Sequence, residues 1–296
     1  MDDFSRPMEP WPGLKPYGRR VRLPDGLNLF AYEAGDPQAE PLLLIHGLGD
    51  EADTWRHVFL PLAGRRRVLA LDLPGFGRSD KPRRAYTLPF LRDTILRLMD
   101  ALSLPRAALL GHSLGAVIAQ SAALEQPDRV TSLTLVGGSL TSRAARLNPA
   151  ILLMSLPFIG ARLYNGLRAN PQAAYDSLRP YYADLDSLPE ADRQFLFLRV
   201  NQRVWSDGQR DAFLSILRHL VWSAPRQQAA LEKRLARLPT PTHAIWGERD
   251  AINSVESGRA LAALQPAGGA RLTILPGAGH APHQEAPEAF LDKIQT

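Results

Sequence analysis

The sequence predicts an α/β fold in which a parallel sheet is covered by helices on both faces and interrupted by one inserted block of helices. Continuous apolar runs at residues 42–45 and 68–71 are typical of strands buried on both faces of a parallel sheet. Helical patterns separate such runs at regular spacing, which favours strand–helix units over an antiparallel sheet. The alternation stops near residue 139 and resumes after residue 228. A chain of 296 residues is long enough for one large domain of this kind with an insert.

The elements before the insert follow from local patterns. Residues 1–20 are rich in Pro and Arg and predict an irregular lead-in. The segments 21–23 and 27–32 flank Pro-Asp-Gly and predict a β-hairpin. The following predicted elements are the strand 42–45, a helix at 55–62, the strand 68–71, a helix at 88–102, the strand 107–110, a helix ending near 126 and the strand 130–136.

The insert is predicted to be entirely helical. Its expected helices are 151–167, 173–182, 191–205 and 210–222, and the core resumes with the strand 242–246, a helix at 255–264, the strand 271–275 and a helix at 287–294. The predicted domains are therefore a lead-in at 1–20, a core at 21–138 and 229–296, and a helical cap at 139–228. Because α/β sheets bind ligands at the carboxyl ends of their strands, we expect the cap to cover that edge.

Composition and charge exclude several classes of function. The chain has no cysteine, so disulfides and thiolate metal sites are excluded, and no His, Asp or Glu cluster has metal-ligand spacing. We therefore expect neither a metal nor a cofactor. The net charge is +5, but the arginines are scattered apart from the run at 65–67, so no nucleic-acid partner is expected.

The sequence also shows no pattern that predicts a targeting signal. The chain begins Met-Asp-Asp-Phe without an apolar stretch, so we expect no signal peptide. The longest apolar run, 151–159, is interrupted by Ser and Pro and is too short to span a bilayer. These patterns predict a cytoplasmic protein without stable membrane insertion, and they leave the oligomeric state open.

The pentapeptide at 111–115, Gly-His-Ser-Leu-Gly, is the first candidate for chemistry. It follows an apolar run and precedes an Ala-rich helical pattern, which is the strand–turn–helix context of a nucleophile elbow. Glycines on both sides let strand and helix approach closely, and Ser113 would sit in a strained backbone conformation. The Leu114 amide would then point from the helix N-terminus towards developing negative charge.

A nucleophilic serine needs a histidine to take its proton and a carboxylate to orient that histidine. The two strand ends after the insert offer Asp250 and His280, each four or five residues beyond its strand on a glycine-containing loop. Glu248 is an alternative acid, and His283 is an alternative base that lacks a preceding glycine. Ser, acid and His in this chain order predict a catalytic triad of Ser113, Asp250 and His280.

These residues resemble the α/β-hydrolase-fold serine hydrolases of the carboxylesterase and lipase type, over essentially residues 20 to 296. The matching segments are 46–49 (His-Gly-Leu-Gly), 72–79 (Asp-Leu-Pro-Gly-Phe-Gly-Arg-Ser), 111–115, 246–250 (Trp-Gly-Glu-Arg-Asp), 279–280 (Gly-His) and 285–288 (Glu-Ala-Pro-Glu). The resemblance implies a mostly parallel eight-stranded sheet and an oxyanion hole built from the Leu48 and Leu114 amides. His46, Gly47 and His112 flank this site and are interpreted as pocket or backbone-supporting groups.

The expected reaction is hydrolysis of a small-molecule carboxylic ester through an acyl-enzyme on Ser113. The cap is expected to select the substrate, and Met154, Phe158, Phe213 and Trp222 are the predicted lining of an apolar acyl or aryl pocket.

Other functions remain open within the same fold. Related C–C bond hydrolases usually have Trp after the catalytic His and Asn before the Ser, where this chain has Ala281 and His112. Cofactor-free haloperoxidase or perhydrolase activity would use the same triad. A slow-turnover, receptor-like ligand-binding protein is the alternative from a different class.

Overall fold

The structure, a computed structural model, describes residues 3–141, 149–223, 228–265 and 270–294. These residues contain one eight-stranded sheet with the order β1-β2-β4-β3-β5-β6-β7-β8. Its strands are β1 (Gly18–Arg22), β2 (Asn28–Ala34), β3 (Pro41–Ile45), β4 (Arg67–Leu71), β5 (Ala107–His112), β6 (Val130–Val136), β7 (Thr242–Gly247) and β8 (Arg271–Leu275). The pairs β1–β2 and β2–β4 are antiparallel and all other pairs are parallel, which confirms the predicted mostly parallel sheet.

Helices cover the sheet and fill the connection between β6 and β7. Those outside this connection are α1 (Phe59–Ala63), α2 (Leu88–Ala101), α3 (Leu114–Glu125), α10 (Val255–Leu264), α11 (Pro282–Glu285) and α12 (Pro287–Ile294). The connection contains α4 (Pro149–Ser155), α5 (Ile159–Gly166), α6 (Pro171–Asp176), α7 (Glu190–Trp205), α8 (Asp207–Arg218), a π-helical turn (His219–Ser223) and α9 (Gln228–Leu235). We call α4 to α8 with the π-helical turn the helical insert; residues 142–148 and 224–227 of the predicted cap lie outside the described residues.

The central strands are buried on both faces because successive side chains point to opposite sides of the sheet. Leu43, Leu69 and Leu109 belong to one apolar cluster, whereas the next residues along each strand, Leu44 and Leu110 among them, belong to a second cluster on the other face. Runs without polar residues are therefore what a strand between two layers of helices requires, and the predicted bounds of these strands agree with the structure to within two residues.

The lead-in is more ordered than its composition predicted. A 3₁₀-helix spans Pro12–Tyr17, and β1 begins at Gly18, inside the segment predicted to be irregular. Leu14 is buried, and the Trp11 N–H donates to Asp53 Oδ1 at 2.7 Å. A tertiary partner 42 residues away, rather than a local pattern, orders this segment.

Two predicted insert helices are broken by proline. The helix expected at 151–167 is divided into α4 and α5 at Pro157, and Phe158 after it has a φ of 64°. The helix expected at 173–182 ends at Asp176, and Pro180 lies in a separate 3₁₀ turn. Proline removes an amide donor and clashes with the preceding turn, which explains both breaks.

No single helix in the described ranges is long and apolar enough to cross a membrane. The helix Pro149–Ser155 and the stretch Ile159–Ala169 meet that criterion only together, and they are bent by 108° relative to each other.

Candidate active site

Ser113 occupies a sharp turn between β5 and α3. Its φ of 53° and ψ of −113° lie in a region that side chains rarely adopt, at a cost of about 1–3 kcal/mol. A Cβ on Gly111 would lie 2.2 Å from the Gly115 carbonyl oxygen, and one on Gly115 would lie 2.0 Å from the Ile45 carbonyl oxygen. The glycines of the pentapeptide are thus required by the close contact of strand and helix, as the sequence predicted.

The proposed oxyanion-hole residues flank this serine. Leu114 is the first residue of α3, so its N–H has no acceptor within the helix. Leu48 lies in the turn after β3, where the Asp50 N–H donates to the Gly47 carbonyl at 3.3 Å and Gly49 adopts a φ of +73°. Leu48 and Leu114 line the same cavity as Ser113. An anionic oxygen bound between their amides would be stabilised by preorganised donors.

Asp250 and His280 form a buried pair at the ends of β7 and β8. His280 Nδ1 lies 2.8 Å from Asp250 Oδ2, and both side chains have no exposed surface. The other carboxylate oxygen, Oδ1, accepts hydrogen bonds from the amides of Ile252 at 2.9 Å and Asn253 at 2.8 Å. Three contacts therefore hold this carboxylate in place. The opposite ring nitrogen, His280 Nε2, is buried and has no hydrogen-bond partner among the described residues.

The loop that carries His280 is held by groups that the sequence did not indicate as functional. The His280 N–H donates to the Tyr181 carbonyl of the helical insert at 3.0 Å. Glu285 Oε1 accepts from the amides of Gly279 at 3.0 Å and Ala281 at 3.2 Å, and Glu285 Oε2 accepts from Ala183 at 2.7 Å. One carboxylate thus binds the loop on both sides of His280 and attaches the insert to it. The segment 285–288 was recognisable in the sequence only by resemblance.

Three further histidines surround the pair, and all are buried. His46 Nε2 accepts from the Leu73 N–H at 2.9 Å, so its Nδ1 carries the proton and donates to the Gly47 carbonyl at 2.7 Å. His112 Nε2 donates to the His280 carbonyl at 2.9 Å, and His283 Nε2 accepts from Thr54 Oγ1 at 3.0 Å. These contacts fit the expected supporting role of His46 and His112, and they direct His283 away from the position of a base.

Burial keeps these supporting histidines neutral. It lowers the pKa of His112 to about 3, with a smaller contribution from His280, and it lowers the pKa of His46. Burial, followed by the neighbouring His112, holds the pKa of His283 well below its ordinary value. None of the three therefore carries a charge near neutral pH.

The alternative carboxylates have other partners. Glu248 Oε2 accepts from the Gly277 N–H at 2.9 Å at the surface, away from the imidazole. Asp72 binds Arg78 through both oxygens, at 2.8 and 3.0 Å. Burial alone would raise the pKa of Asp72, but the charge and hydrogen bonds of Arg78 hold it below its usual range. Both carboxylates therefore serve local structure, and Asp250 is the one beside His280.

A cavity of about 550 Å³ opens on Ser113 and His280, and it is lined mainly by apolar side chains from the core and the helical insert. Of the four predicted pocket residues, Met154 and Phe213 line it. Phe158 is 91% exposed, and Trp222 is 49% exposed with its indole N–H donating to Ser155 Oγ at 3.1 Å. The expectation for Phe158 and Trp222 was wrong because the break at Pro157 and the π-helical turn rotate these side chains outward. Within the described residues, no group of three or more His, Asp and Glu could hold a metal ion.

Comparisons with known proteins identify the family of this fold. Residues 40–287 match the family model described as alpha/beta hydrolase fold. A pimeloyl-[acyl-carrier protein] methyl ester esterase of Edwardsiella ictaluri is 32% identical, with 88% of this chain and 94% of that protein covered. A 2-hydroxy-6-oxononadienedioate/2-hydroxy-6-oxononatrienedioate hydrolase of Pseudomonas putida is 31% identical, with 92% and 93% covered. The crystal structure of a bacterial membrane phospholipase A superposes with a TM-score of 0.74 at 27% identity, with 94% and 84% covered. The chain belongs to the α/β-hydrolase-fold family.

Proposed function

We propose that the protein hydrolyses carboxylic esters with an apolar acyl or aryl group through an acyl-enzyme on Ser113. The observation that carries this proposal is the strained Ser113 turn, which opens onto an apolar cavity together with the buried Asp250–His280 pair. The relative from E. ictaluri is named as a methyl ester esterase, which supports an ester as the bond that is cleaved.

In the proposed mechanism, Ser113 Oγ attacks the ester carbonyl while His280 Nε2 takes its proton. Asp250 holds the imidazole in the required tautomer and stabilises its charged form. The Leu48 and Leu114 amides stabilise the oxyanion, and one such donor contributes about 3 kcal/mol to the transition state. His280 then protonates the leaving alcohol, and a water molecule activated by the same histidine hydrolyses the acyl-enzyme.

Cleavage of a C–C bond is the second candidate, because a relative of similar identity is named for a dienedioate substrate. A dicarboxylate needs positively charged partners. Among the described residues that line the cavity near Ser113, few positively charged side chains lack a carboxylate partner. Arg203 is engaged by Asp50 at 2.6 Å and Glu51 at 2.8 Å. Ala281 in place of the usual tryptophan also favours ester hydrolysis over C–C cleavage.

The test compares Ser113→Ala with wild type on p-nitrophenyl butyrate. Loss of the nucleophile is expected to lower kcat by at least about 1,000-fold, since members of a triad act as a unit. Ser132→Ala, the same substitution on β6 outside the cavity, is the control and should retain wild-type turnover. A fluorophosphonate probe should label Ser113, as read by mass spectrometry. Retained activity of Ser113→Ala, or a label elsewhere, would rule out the assignment.

The receptor-like alternative is distinguished by the turnover number. An enzyme should release p-nitrophenol over many cycles, whereas a slow-turnover binding protein should stop after about one equivalent per chain. The C–C alternative is tested in parallel with a 2-hydroxy-6-oxo-dienoate, for which we expect a kcat/KM well below that for the ester.

A further inference from the structure

Helix α3 has one face that the other described residues cover only in part. Most of this helix is buried, but Val117, Ser121 and Leu124 are only partly buried, and all three line the cavity that begins at Ser113. Their spacing of four and three residues places them on one face of the helix. The open face therefore forms a straight track that starts at Ser113 and follows α3 towards its C-terminal end.

Apolar side chains of three other elements line the same cavity as this track. They are Leu88 of α2, Leu220 of the π-helical turn and Leu231 of α9. All three pack against the main core cluster, yet they remain only partly buried. Side chains of this type in a well-packed interior would normally be covered by other side chains. We call the space between these leucines and the open face of α3 the α3 groove.

The groove ends at polar groups. Arg92 Nη1 donates to Glu125 Oε2 at 3.0 Å, and Arg234 Nη2 donates to the Leu124 carbonyl at 2.8 Å. From Leu114 to Leu124 the helix rises about 15 Å, which corresponds to an extended acyl chain of roughly 12 carbons. A longer chain would emerge beside these polar groups, where additional methylenes are no longer transferred out of water.

The position of His280 decides which part of an ester enters the groove, provided that the proposed function holds. The leaving alcohol must receive a proton from His280 Nε2, so it lies on the His280 side of Ser113. There the cavity is lined by Tyr181 and Gln284, and the Tyr181 ring centroid lies 5.7 Å from that of His280. The acyl chain leaves the carbonyl carbon in a different direction from the alcohol. The track along α3 begins at Ser113, where the carbonyl carbon is attacked.

We propose that the α3 groove is the acyl-binding site and that the substrates are esters of unbranched apolar acids of up to about 12 carbons. Each methylene buried in the groove is expected to raise kcat/KM by about fourfold, the factor that corresponds to about 0.8 kcal/mol. The increase should stop near 12 carbons, where the groove reaches Arg92 and Arg234.

The test measures kcat/KM for p-nitrophenyl esters from two to sixteen acyl carbons on variants that block the groove at successive depths. Val117→Phe and Ser121→Phe are expected to shorten the chain-length limit to about four and eight carbons, following the rise of the helix, whereas Leu124→Phe at the end of the groove should leave it near twelve. Ser121→Leu is a smaller block at the middle position, for use if the phenylalanine variant does not fold. A limit that stays at the wild-type length in the Val117 and Ser121 variants would overturn the proposal.

Val200→Phe is the matched control, because it makes the change of Val117→Phe in the part of the cavity that lies on α7. It should leave the acyl limit at the wild-type length and alter the preference for alcohol length. A shortened acyl limit in Val200→Phe would place the acyl chain in the helical insert and overturn the assignment.

Binding of dodecanoate to Ser113→Ala separates this proposal from the proposed function. Calorimetry should detect dodecanoate binding that Ser121→Phe, introduced into Ser113→Ala, weakens by at least tenfold. If no ester is hydrolysed but this binding pattern is found, the proposed function fails while the groove stands as a fatty-acyl site. If esters are hydrolysed and dodecanoate binding does not respond to the Ser121 substitution, the groove assignment fails alone.

Discussion

The placement of His280 depends on a carboxylate outside both the Asp250 contact and the cavity. Glu285 accepts hydrogen bonds from the amides on either side of His280 and from Ala183 of the helical insert. Burial raises the pKa of Glu285 above its ordinary value, in spite of the hydrogen bonds from these amides. The Glu285 side chain therefore adds a second connection between the His280 loop and the helical insert, beside the hydrogen bond from the His280 amide to the Tyr181 carbonyl.

Glu285→Gln tests this positioning role. An amide NH₂ in place of one oxygen faces backbone donors and cannot accept from them, so we expect the His280 loop to shift. The kcat for p-nitrophenyl butyrate should fall by about 10- to 100-fold with little change in KM, since a displaced base affects the chemical step. Glu288→Gln, the same substitution at an exposed position of α12, should retain wild-type values. Equal kinetics of the two variants would contradict the role of Glu285.

The sequence indicates Ser113, Asp250 and His280 as candidates because each lies where a strand ends at a glycine-containing turn. These signals are local, and the parallel sheet brings such turns to one edge. Glu285 carries no comparable signal, since one of its donors, the Ala183 N–H, comes within reach only when the 181–183 segment is placed against the His280 loop. Phe158 was assigned to the pocket because helical periodicity was extended across Pro157, where the structure turns the chain outward.

At the scale of elements, the pairing of β7 and β8 contains a titratable contact. Arg271 Nη2 donates to His243 Nδ1 at 3.1 Å, so the proton lies on Nε2, which donates to Thr273 Oγ1 at 2.9 Å. Burial, together with the charge of Arg271, lowers the pKa of His243 to about 4 from 6.5. The folded state therefore favours the neutral imidazole.

This contact predicts a pH-dependent stability. As the pH falls below about 6.5, the unfolded chain takes up a proton that folded His243 does not, so the free energy of unfolding decreases until about pH 4. As the pH falls over this range, the free energy of unfolding of wild type should decrease by about 1–2 kcal/mol more than that of His243→Gln, after allowance for solvent screening. Urea unfolding of both proteins at pH 7, 5.5 and 4.5 measures the difference. A difference that does not change with pH would contradict the assignment.

The sequence predicts the strands of the sheet more accurately than the helices of the insert, and the difference has physical causes. The strands β3, β4 and β5 have apolar runs because both faces are covered, and their bounds follow from composition to within two residues. The helical insert is amphipathic, and its helix ends depend on where Pro157 and Pro180 interrupt the pattern. The 3₁₀-helix Pro12–Tyr17 could not be predicted, because its order depends on a distant contact between Trp11 and Asp53.

At the scale of the whole molecule, buried ion pairs join the helical insert to the core. Asp192 and Arg203 lie on one face of α7, where Asp192 binds Arg56 at 2.5 Å. Arg203 binds Asp50 at 2.6 Å and Glu51 at 2.8 Å, in the loop that follows the Leu48 amide. The partners of Arg203 are more than 150 residues away in the chain, so no local pattern in the sequence indicated them.

Arg203→Met tests the contribution of this contact to stability. Removing the guanidinium deprives the buried Glu51 carboxylate of its hydrogen-bonded charge partner and leaves it only the longer contact with Arg199 at 3.5 Å, which should lower the free energy of unfolding by about 3 kcal/mol. Arg210→Met on α8 removes an arginine whose carboxylate partners, Asp207 and Asp211, are exposed, and it should cost less than about 1 kcal/mol. Urea unfolding midpoints with unchanged m-values give the comparison. Equal losses would show that the buried pairs do not join insert and core.

The hydrogen bond from the His280 amide to the Tyr181 carbonyl has a consequence for protein engineering. The helical insert of one family member cannot be grafted onto the core of another as an independent module, because part of the support of His280 would be removed with it. Residues 181–183 would have to stay with the recipient core, and a graft would have to exchange the helices on either side of them. Substrate range could then be altered through α4, α5 and α8 while the loop that carries His280 keeps its support.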